Sequence, residues 1–115
     1  MNLIKTIDTQ SYSSINENYK NVEGDIIDIG CLGWDWSNIF LGEKRVIGVD
    51  PQENTIPKGA ELFKGLIGSF NGLVRIEETG IGAKISNSNK GQWYDILSWK
   101  SFCKIYNINK VCILK

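Results

Sequence analysis

Short apolar runs alternate along the chain with polar and turn-rich segments, a pattern that indicates an α/β protein. The run DIIDIG, residues 25–30, is rich in β-branched residues and ends in glycine, so it predicts a buried strand followed by a tight turn. The run RVIGVD, residues 45–50, predicts a second buried strand, because Pro51 cannot extend the ladder beyond Asp50. We expect the two strands to be neighbours in one sheet.

Two helices are predicted in the first half of the chain. Residues 34–41 can form about two helical turns, with the carboxylate of Asp35 near the amino end and Gly42 at the stop. Residues 9–20 are polar with apolar side chains at helical spacing, which favours a short surface helix.

The middle of the chain predicts a third strand and a hairpin. Residues 60–68, AELFKGLIG, indicate one continuous strand. Within residues 69–78 the pair Asn71 and Gly72 precedes alternating apolar and polar positions, which predicts a hairpin. Residues 79–91 are dominated by glycine, serine and asparagine, so they predict a loop.

The last part of the chain predicts a helix between two extended segments. Residues 92–97 favour a short extended piece. In residues 98–107 apolar side chains recur at helical spacing, with Ser98 as the amino-terminal cap and Asn107 as the carboxyl-terminal cap. The apolar run of residues 111–115 predicts a fourth strand.

Composition predicts one domain over residues 1–115, in which residues 1–24 form an amino-terminal extension or helix. Thirteen basic residues balance thirteen acidic ones, so no overall field draws the chain to nucleic acid or to an anionic membrane. The apolar runs are too short for a membrane helix, and residues 1–20 lack the layout of a signal peptide. A cytoplasmic location is expected.

Residue types limit the chemistry that the chain can perform. The sequence contains no histidine, which excludes a histidine-based triad, metal site or general base. Cys31, Cys103 and Cys112 lack the CxxC spacing, so neither a disulfide framework nor a zinc site is indicated. No metal is expected, and any base must be Asp, Glu, Lys, Tyr, Cys or water.

The residues that carry candidate chemistry are D-I-G-C-L-G, residues 28–33, and Asp50. Gly30 and Gly33 let the main chain turn sharply and approach a ligand, because no Cβ intervenes. At the end of the neighbouring strand, the carboxylate of Asp50 can accept both hydroxyl hydrogens of a ribose. Together these features predict a nucleotide-type binding site.

Two cofactor classes compete for that geometry. Dinucleotide enzymes use G-x-G-x-x-G to bring the backbone to a pyrophosphate, whereas this loop reads Asp28-x-Gly30-x-x-Gly33. The loop has an acid before its glycines and one glycine fewer than the dinucleotide pattern. Both features suit a cofactor that carries positive charge and has no pyrophosphate. S-adenosylmethionine meets both conditions, so a nicotinamide-dependent oxidoreductase is disfavoured. A plain tight turn remains the alternative for the glycine pattern.

Over residues 25–115 the chain resembles the FkbM-like methyltransferases, which use S-adenosylmethionine and commonly methylate hydroxyl groups. DIGCLGWDWS is similar to that family's D-x-G-A-x-x-G-x-x-S opening, with matches at Asp28, Gly30 and Ser37. VIGVDP resembles the strand that ends in an acid-proline pair, and LIGSFNG resembles the turn A-x-G-D-x-x-G. DILSWKSFCKIYNINKVCILK resembles the stretch that leads into K-x-D-x-E-G. The resemblance implies that Asp50 holds the ribose of the cofactor.

The predicted cofactor-binding residues are Asp28, Gly30, Cys31, Gly33, Asp50, Pro51 and Ser69. Trp34 stands where the family has its second glycine, Ser69 replaces an aspartate, and the sequence stops before the D-x-E-G residues. Cys31 is expected to pack rather than to act as a nucleophile. Two alternative roles remain for Phe70: stacking on an adenine ring and packing under the hairpin. No catalytic residue is assigned.

The sequence therefore predicts a three-layer Rossmann-like methyltransferase fold that ends after its fourth strand. The outer edge of that strand is expected to be unpaired, which native proteins normally avoid. The chain is therefore expected to be a fragment or a reduced domain, or to have its sheet completed by a homodimer partner or a second chain. The expected activity is transfer of a methyl group from S-adenosylmethionine to a hydroxyl of a small molecule or glycan. The alternative is a noncatalytic nucleotide-binding or protein-interaction module that keeps the fold.

Overall fold

The strands of this computed structural model, which describes residues 4–5, 17–78, 83–85 and 90–115, form two sheets. Every strand pair of the first sheet is parallel. Its strands, in spatial order, are β1 (Ile4–Lys5), β9 (Val111–Leu114), β2 (Asp25–Ile29), β3 (Val46–Val49) and β4 (Ala60–Phe63). The first, second and fourth predicted strands are thus confirmed as β2, β3 and β9. The chain is an α/β protein whose parallel sheet is compatible with a Rossmann-like fold.

The first sheet is covered on both faces, which places its central strands in the core. Alternate residues of a strand point to opposite faces, and β2 accordingly sends Ile26 to one apolar cluster and Ile27 to the other. The first cluster, which we call the loop-side core, contains Trp34, Trp36 and Phe40. The second cluster, the helix-side core, is built around Phe102, Phe63, Ile108 and Val111, with Trp99 and Tyr106 packed against it.

The predicted helix over residues 34–41 is wrong in type and in length. Only Ser37–Phe40 is helical, as a short 3₁₀ helix. Gly33 and Trp34 both have positive φ, 82° and 58°, so the chain turns in the left-handed region where a helix would have to begin. Asp35 provides no cap, because the residue that precedes the 3₁₀ helix is Trp36, which makes no capping hydrogen bond.

The predicted third strand, residues 60–68, is wrong as one continuous strand. It is divided at Lys64 into β4 and β5 (Gly65–Gly68), which belong to different sheets. A Cβ on Gly65 would lie 2.5 Å from the backbone oxygen of Asp95. The change of sheet therefore depends on a close backbone approach that only glycine permits.

The second sheet is mixed, and its strand order contradicts the predicted hairpin. Its other strands are β6 (Gly72–Glu78), β7 (Ala83–Ile85) and β8 (Gln92–Ser98), in the spatial order β5-β8-β6-β7. β5 and β6 do not pair with each other, because β8 lies between them, parallel to β5 and antiparallel to β6. Part of the predicted loop over residues 79–91 is also wrong, since β7 pairs antiparallel with β6; residues 79–82 and 86–89 lie outside the described residues.

The predicted helix after β8 is confirmed as α1 (Trp99–Ile105). The hydroxyl of Ser98 caps it by accepting a hydrogen bond from the amide of Ser101. The carboxyl-terminal cap is Tyr106 rather than Asn107, which follows with a φ of 54°. Among the described residues, no helix is long and apolar enough to cross a membrane.

The outer edge of β9 is paired, which corrects the expectation that it is open. β1 lies parallel to β9, with Ile4 opposite Ile113 and Lys5 opposite Leu114. Sequence reasoning missed this strand because two residues give no periodicity. In the rest of the segment predicted as an extension or helix, Glu17–Asn21 forms a 3₁₀ helix, while residues 9–16 of the surface helix predicted over residues 9–20 lie outside the described residues.

Candidate functional site

The candidate site lies where β2, β3 and β9 end, which we call the carboxyl edge of the first sheet. The loop after β2 turns immediately at Gly30, which has a φ of 80°, and its amide donates to the carbonyl of Val49 at 2.7 Å. A second turn follows at Gly33. A Cβ added at Gly30 would meet no atom within 4 Å, so the loop presents bare backbone at this point.

Asp50 meets this loop, as the predicted site requires. Its Oδ2 accepts a hydrogen bond from the amide of Leu32 at 3.3 Å, and its Oδ1 accepts one from the amide of Gln52 at 2.8 Å. The residue is only 7% exposed. The carboxylate therefore already anchors two loops, with its other lone pairs left for a further donor.

A second acid, Glu53, holds the same loop and is absent from the sequence-derived site. Its Oε2 accepts the amide of Gly33 at 2.5 Å, while Oε1 accepts the amides of Asn54 and Thr55. Burial raises the pKa of Glu53, but these amide bonds and the charge of Lys64 together lower it by more, so its pKa lies below the usual value. Glu53 is therefore a charged anchor of the glycine loop at neutral pH.

Trp34 fixes the loop against β3. Its side chain is buried, and its indole nitrogen donates to the carbonyl of Thr55 at 2.7 Å. A Cβ on Gly48 would lie 2.5 Å from the indole ring and 2.5 Å from the sulfur of Cys31. The loop can lie on the strand only because position 48 is glycine, a requirement that no sequence pattern signalled.

Cys31 is enclosed by the loop-side core and by acids. Burial is the largest cause that raises the pKa of its thiol to about 12, and the charges of Asp28, Asp50 and Glu53 raise it further. A thiol with that pKa is protonated at neutral pH. Cys31 consequently packs, and the same three carboxylates make the surroundings of the loop electronegative.

Asp28 and Lys115 form an ion pair at the centre of the carboxyl edge. The ammonium of Lys115 lies 3.1 Å from Oδ1 of Asp28, and the two side chains are 21% and 1% exposed. The same ammonium lies 5.9 Å from the centre of the Trp36 ring. A charge pair this far from solvent is costly unless further groups complete its interactions.

Two buried polar atoms in the segment between β2 and β3 have no hydrogen-bond partner among the described residues. They are Nε1 of Trp36 and the hydroxyl of Ser37, and both side chains are buried. Buried polar groups are almost always paired, because an unmet donor costs roughly 1–3 kcal/mol. The segment after β2 thus contains a donor and a hydroxyl that no described residue satisfies.

The remaining predicted residues occupy different places. Pro51 is half-buried directly after Asp50, beside the loop. Ser69 is exposed in the turn between β5 and β6, on the second sheet, and Phe70 next to it is half-exposed. The structure thus joins the glycine loop with Asp50 at the carboxyl edge and places Ser69 with the second sheet.

Lys115 and Glu53 differ in how far the sequence could have revealed them. Lys115 is the last residue of the predicted fourth strand, and a strand parallel to β2 must bring its end beside Asp28. Strand topology was therefore a usable signal. Glu53 has none, since it lies in an irregular segment after Pro51 whose path is set by the amides that it binds.

Comparison of the chain with protein-family models, with curated proteins and with solved structures found no match. Within the described part of the chain, no three His, Cys, Asp or Glu side chains are grouped to hold a metal ion. Function is therefore inferred from the geometry of the carboxyl edge.

Proposed function

We propose that this chain binds S-adenosylmethionine, as part of a methyltransferase that acts on a hydroxyl group of a small molecule or glycan. The observation that carries the proposal is the contact between the glycine loop after β2 and Asp50 after β3, 3.3 Å from the amide of Leu32 to the carboxylate. Adjacent ends of parallel strands form the crevice where nucleotides bind in such sheets. The resemblance to the FkbM-like family points to the same cofactor.

The residues at the carboxyl edge fit such a ligand chemically. Asp28, Asp50 and Glu53 surround the loop with negative charge, which favours a cationic sulfonium over a pyrophosphate. The indole nitrogen of Trp36, which has no partner among the described residues, offers a hydrogen-bond donor to a polar ligand. These features favour S-adenosylmethionine over a dinucleotide.

When bound, S-adenosylmethionine supplies an electrophilic methyl group. In our proposal Asp50 accepts the ribose hydroxyls with the lone pairs that its two amide bonds leave free. Gly30 allows the ligand to approach the main chain, since nothing lies within 4 Å of its Cβ position. Methyl transfer then depends mainly on alignment with the acceptor, and positioning can provide much of the acceleration.

A second function, a noncatalytic module that keeps the fold, is favoured by one observation. Both oxygens of Asp50 already accept backbone amides, and the residue is 7% exposed. In that function Asp50 is a structural anchor that holds two loops together. The two proposals differ in what replacement of Asp50 does to ligand binding.

The first experiment is calorimetric titration of the folded chain with S-adenosylhomocysteine. We expect saturable binding, with NAD unable to compete. Asp50→Asn keeps one acceptor oxygen and the side-chain shape but loses the charge, so affinity should fall about 10- to 100-fold. Far-ultraviolet circular dichroism of each protein establishes that it is folded.

Asp95→Asn is the matched control, because Asp95 is an exposed acid on β8 of the second sheet. It should bind S-adenosylhomocysteine as the wild-type chain does. A folded wild-type chain that does not bind would overturn the cofactor proposal. If Asp50→Asn lowers stability while binding stays unchanged, Asp50 is an anchor and the role assigned to it is wrong.

A further inference from the structure

One face of the second sheet carries large apolar side chains in contact with solvent. Alternate residues of a strand share a face, and the pairing of β6 with β8 places Arg75 opposite Trp93 and Leu73 opposite Asp95. We call this surface the Trp93 face, and its members are Leu73, Arg75, Glu77, Trp93 and Asp95. Trp93 is 57% exposed, and its diagonal neighbour Leu73 is 59% exposed. Neighbouring exposed apolar side chains of this size favour an interaction surface.

The Trp93 ring is fixed on one side and open on the other. The guanidinium of Arg75 lies 4.6 Å from the centre of the ring, a cation–π contact that limits how the indole can rotate. On the side away from β6, β5 pairs with β8 only from Asp95 onwards. No described strand therefore lies beside Trp93 on that side, and the face presents an ordered planar ring to solvent.

The charges of the Trp93 face disfavour a polyanionic partner. Its one basic side chain, Arg75, is already stacked on the indole, whereas two acids, Glu77 and Asp95, share the face with it. Nucleic-acid surfaces that stack bases combine aromatic rings with a positively charged groove for the phosphates. Phosphates would instead meet net negative charge among the described residues of this face, so its charge complements a neutral ligand.

A neutral sugar has the shape and the polarity that this face requires. A pyranose ring with equatorial hydroxyls has flat faces of C–H groups, whose partial positive charge matches the negative face of an indole. The hydroxyls at its rim are donors for a carboxylate such as that of Glu77. We propose that the Trp93 face binds a neutral glycan, with one sugar ring stacked on Trp93 and the next in contact with Leu73. The inference goes beyond the proposed function, because none of the cofactor-binding residues belongs to this face.

The test is nuclear magnetic resonance titration of the whole chain with cellohexaose, a neutral chain of β-linked glucose. Trp93 is the only exposed residue among the four tryptophans, so its indole N–H signal reports on this face. We expect that signal to shift saturably with cellohexaose. Sorbitol, which has hydroxyls but no ring face, should leave the signal in place at the same concentration.

Substitutions of Trp93 measure how much of the binding depends on the ring. Trp93→Ala should weaken cellohexaose binding at least about 10-fold, and Trp93→Phe only about 3-fold because a smaller ring remains. Both variants are followed through the backbone amide of Leu73. Since Trp93 is mostly exposed, neither change should unfold the chain, which circular dichroism verifies.

The matched control is Phe70→Ala. Phe70 is also an exposed aromatic residue, but it lies in the turn between β5 and β6, outside the Trp93 face. This variant should bind cellohexaose as the wild-type chain does. Equal weakening by Phe70→Ala and Trp93→Ala would show that exposed aromatic residues bind the sugar without a specific site, and would overturn the proposal.

The other outcomes separate a glycan from other occupants of the face. An unchanged Trp93 signal, or equal binding by Trp93→Ala, would overturn the proposal. Tighter binding of single-stranded oligodeoxythymidine would assign the face to nucleic acid, and a shift that depends on protein concentration without sugar would assign it to a second copy of the chain. Because the titration contains no cofactor, its failure leaves the result with S-adenosylhomocysteine unaffected.

Discussion

Both ends of the first sheet contain ion pairs, but the polar groups around these ion pairs differ between the two ends. At the amino edge, where the strands begin, Arg45 donates to Asp25 at 3.1 Å and to Glu61 at 2.6 Å. The same guanidinium donates to the backbone carbonyls of Tyr106 at 2.6 Å and Asn107 at 3.4 Å. Each of these hydrogen bonds therefore joins Arg45 to another part of the chain.

At the carboxyl edge the corresponding pair is Asp28 with Lys115, and the Lys115 ammonium lies 5.9 Å from the centre of the Trp36 ring, whose indole nitrogen has no partner among the described residues. Because its bonds join β2, β4 and the end of α1, the Arg45 group serves the fold. The buried pair of Asp28 and Lys115 lies near an indole ring whose nitrogen is unpaired, and we expect substitutions there to affect ligand binding. The comparison predicts that substitutions at the two edges will separate stability from binding.

The largest effect is expected from Gly48→Ala, which disrupts the carboxyl edge. The new methyl group would lie 2.5 Å from both the Trp34 ring and the Cys31 sulfur, so the loop must move away from β3. We expect a loss of about 3 kcal/mol in the free energy of unfolding, measured by urea titration, together with weaker S-adenosylhomocysteine binding.

Gly72→Ala is the control for that substitution. At position 72 an added Cβ would lie 3.6 Å from the Phe70 ring, an ordinary contact distance. Its cost should stay well below that of Gly48→Ala, with binding unchanged. If the two alanine variants are equally stable, the loop does not depend on close contact with β3.

A smaller effect is expected from Arg45→Met, which disrupts the amino edge. The variant keeps an unbranched apolar stem but removes the donors to Asp25 and Glu61 and to two carbonyls. Because one third of the Arg45 side chain is exposed, water screens the pairs, and we expect a loss of about 2 kcal/mol. Cofactor affinity at the far edge should not change, and a parallel fall in affinity would contradict the separation of the two edges.

The smallest effect is expected from the protonation of Glu53. Its pKa in the folded chain lies below the ordinary value of 4.5, so the stabilisation it provides is present above about pH 4.5 and is lost as pH falls through the folded pKa. Glu53→Gln should cost about 1 kcal/mol at pH 7, because one amide oxygen cannot accept all three backbone hydrogen bonds.

Urea titrations of the wild-type chain and Glu53→Gln over a range of pH test this expectation. The difference between their free energies of unfolding should shrink as the solution becomes more acidic than pH 4.5. A difference that is independent of pH would show that the Glu53 charge does not hold the loop.

The sequence predicted those parts of the fold that depend on continuous apolar runs. The strands β2, β3 and β9 and the helix α1 each bury a face that their own pattern reveals. The division at Lys64 could not be predicted, because it depends on the pairing of β5 with β8, which lies farther along the sequence. Strand patterns show burial, but they do not show which strand becomes the partner.

The candidate site was predictable to a similar degree. Asp50 and the glycine loop followed from two strand ends in a parallel sheet, and the structure brings them into contact. Trp34, which stands where the resembled family has its second glycine, lies in the loop-side core and packs on Gly48. Glu53 and the unpaired groups of Trp36 and Ser37 could not be foreseen, since they arise from the path of irregular segments.

The pairing of β1 with β9 has a consequence for how the chain folds. Ile4 is opposite Ile113, so this contact joins residues from the two ends of the sequence. The neighbouring pair β2 and β3 closes a much shorter loop. Because long loops are closed at a greater entropic cost, we expect β2 and β3 to associate early and β1 to dock last. On the ribosome, β1 must wait without its partner until β9 has been synthesised.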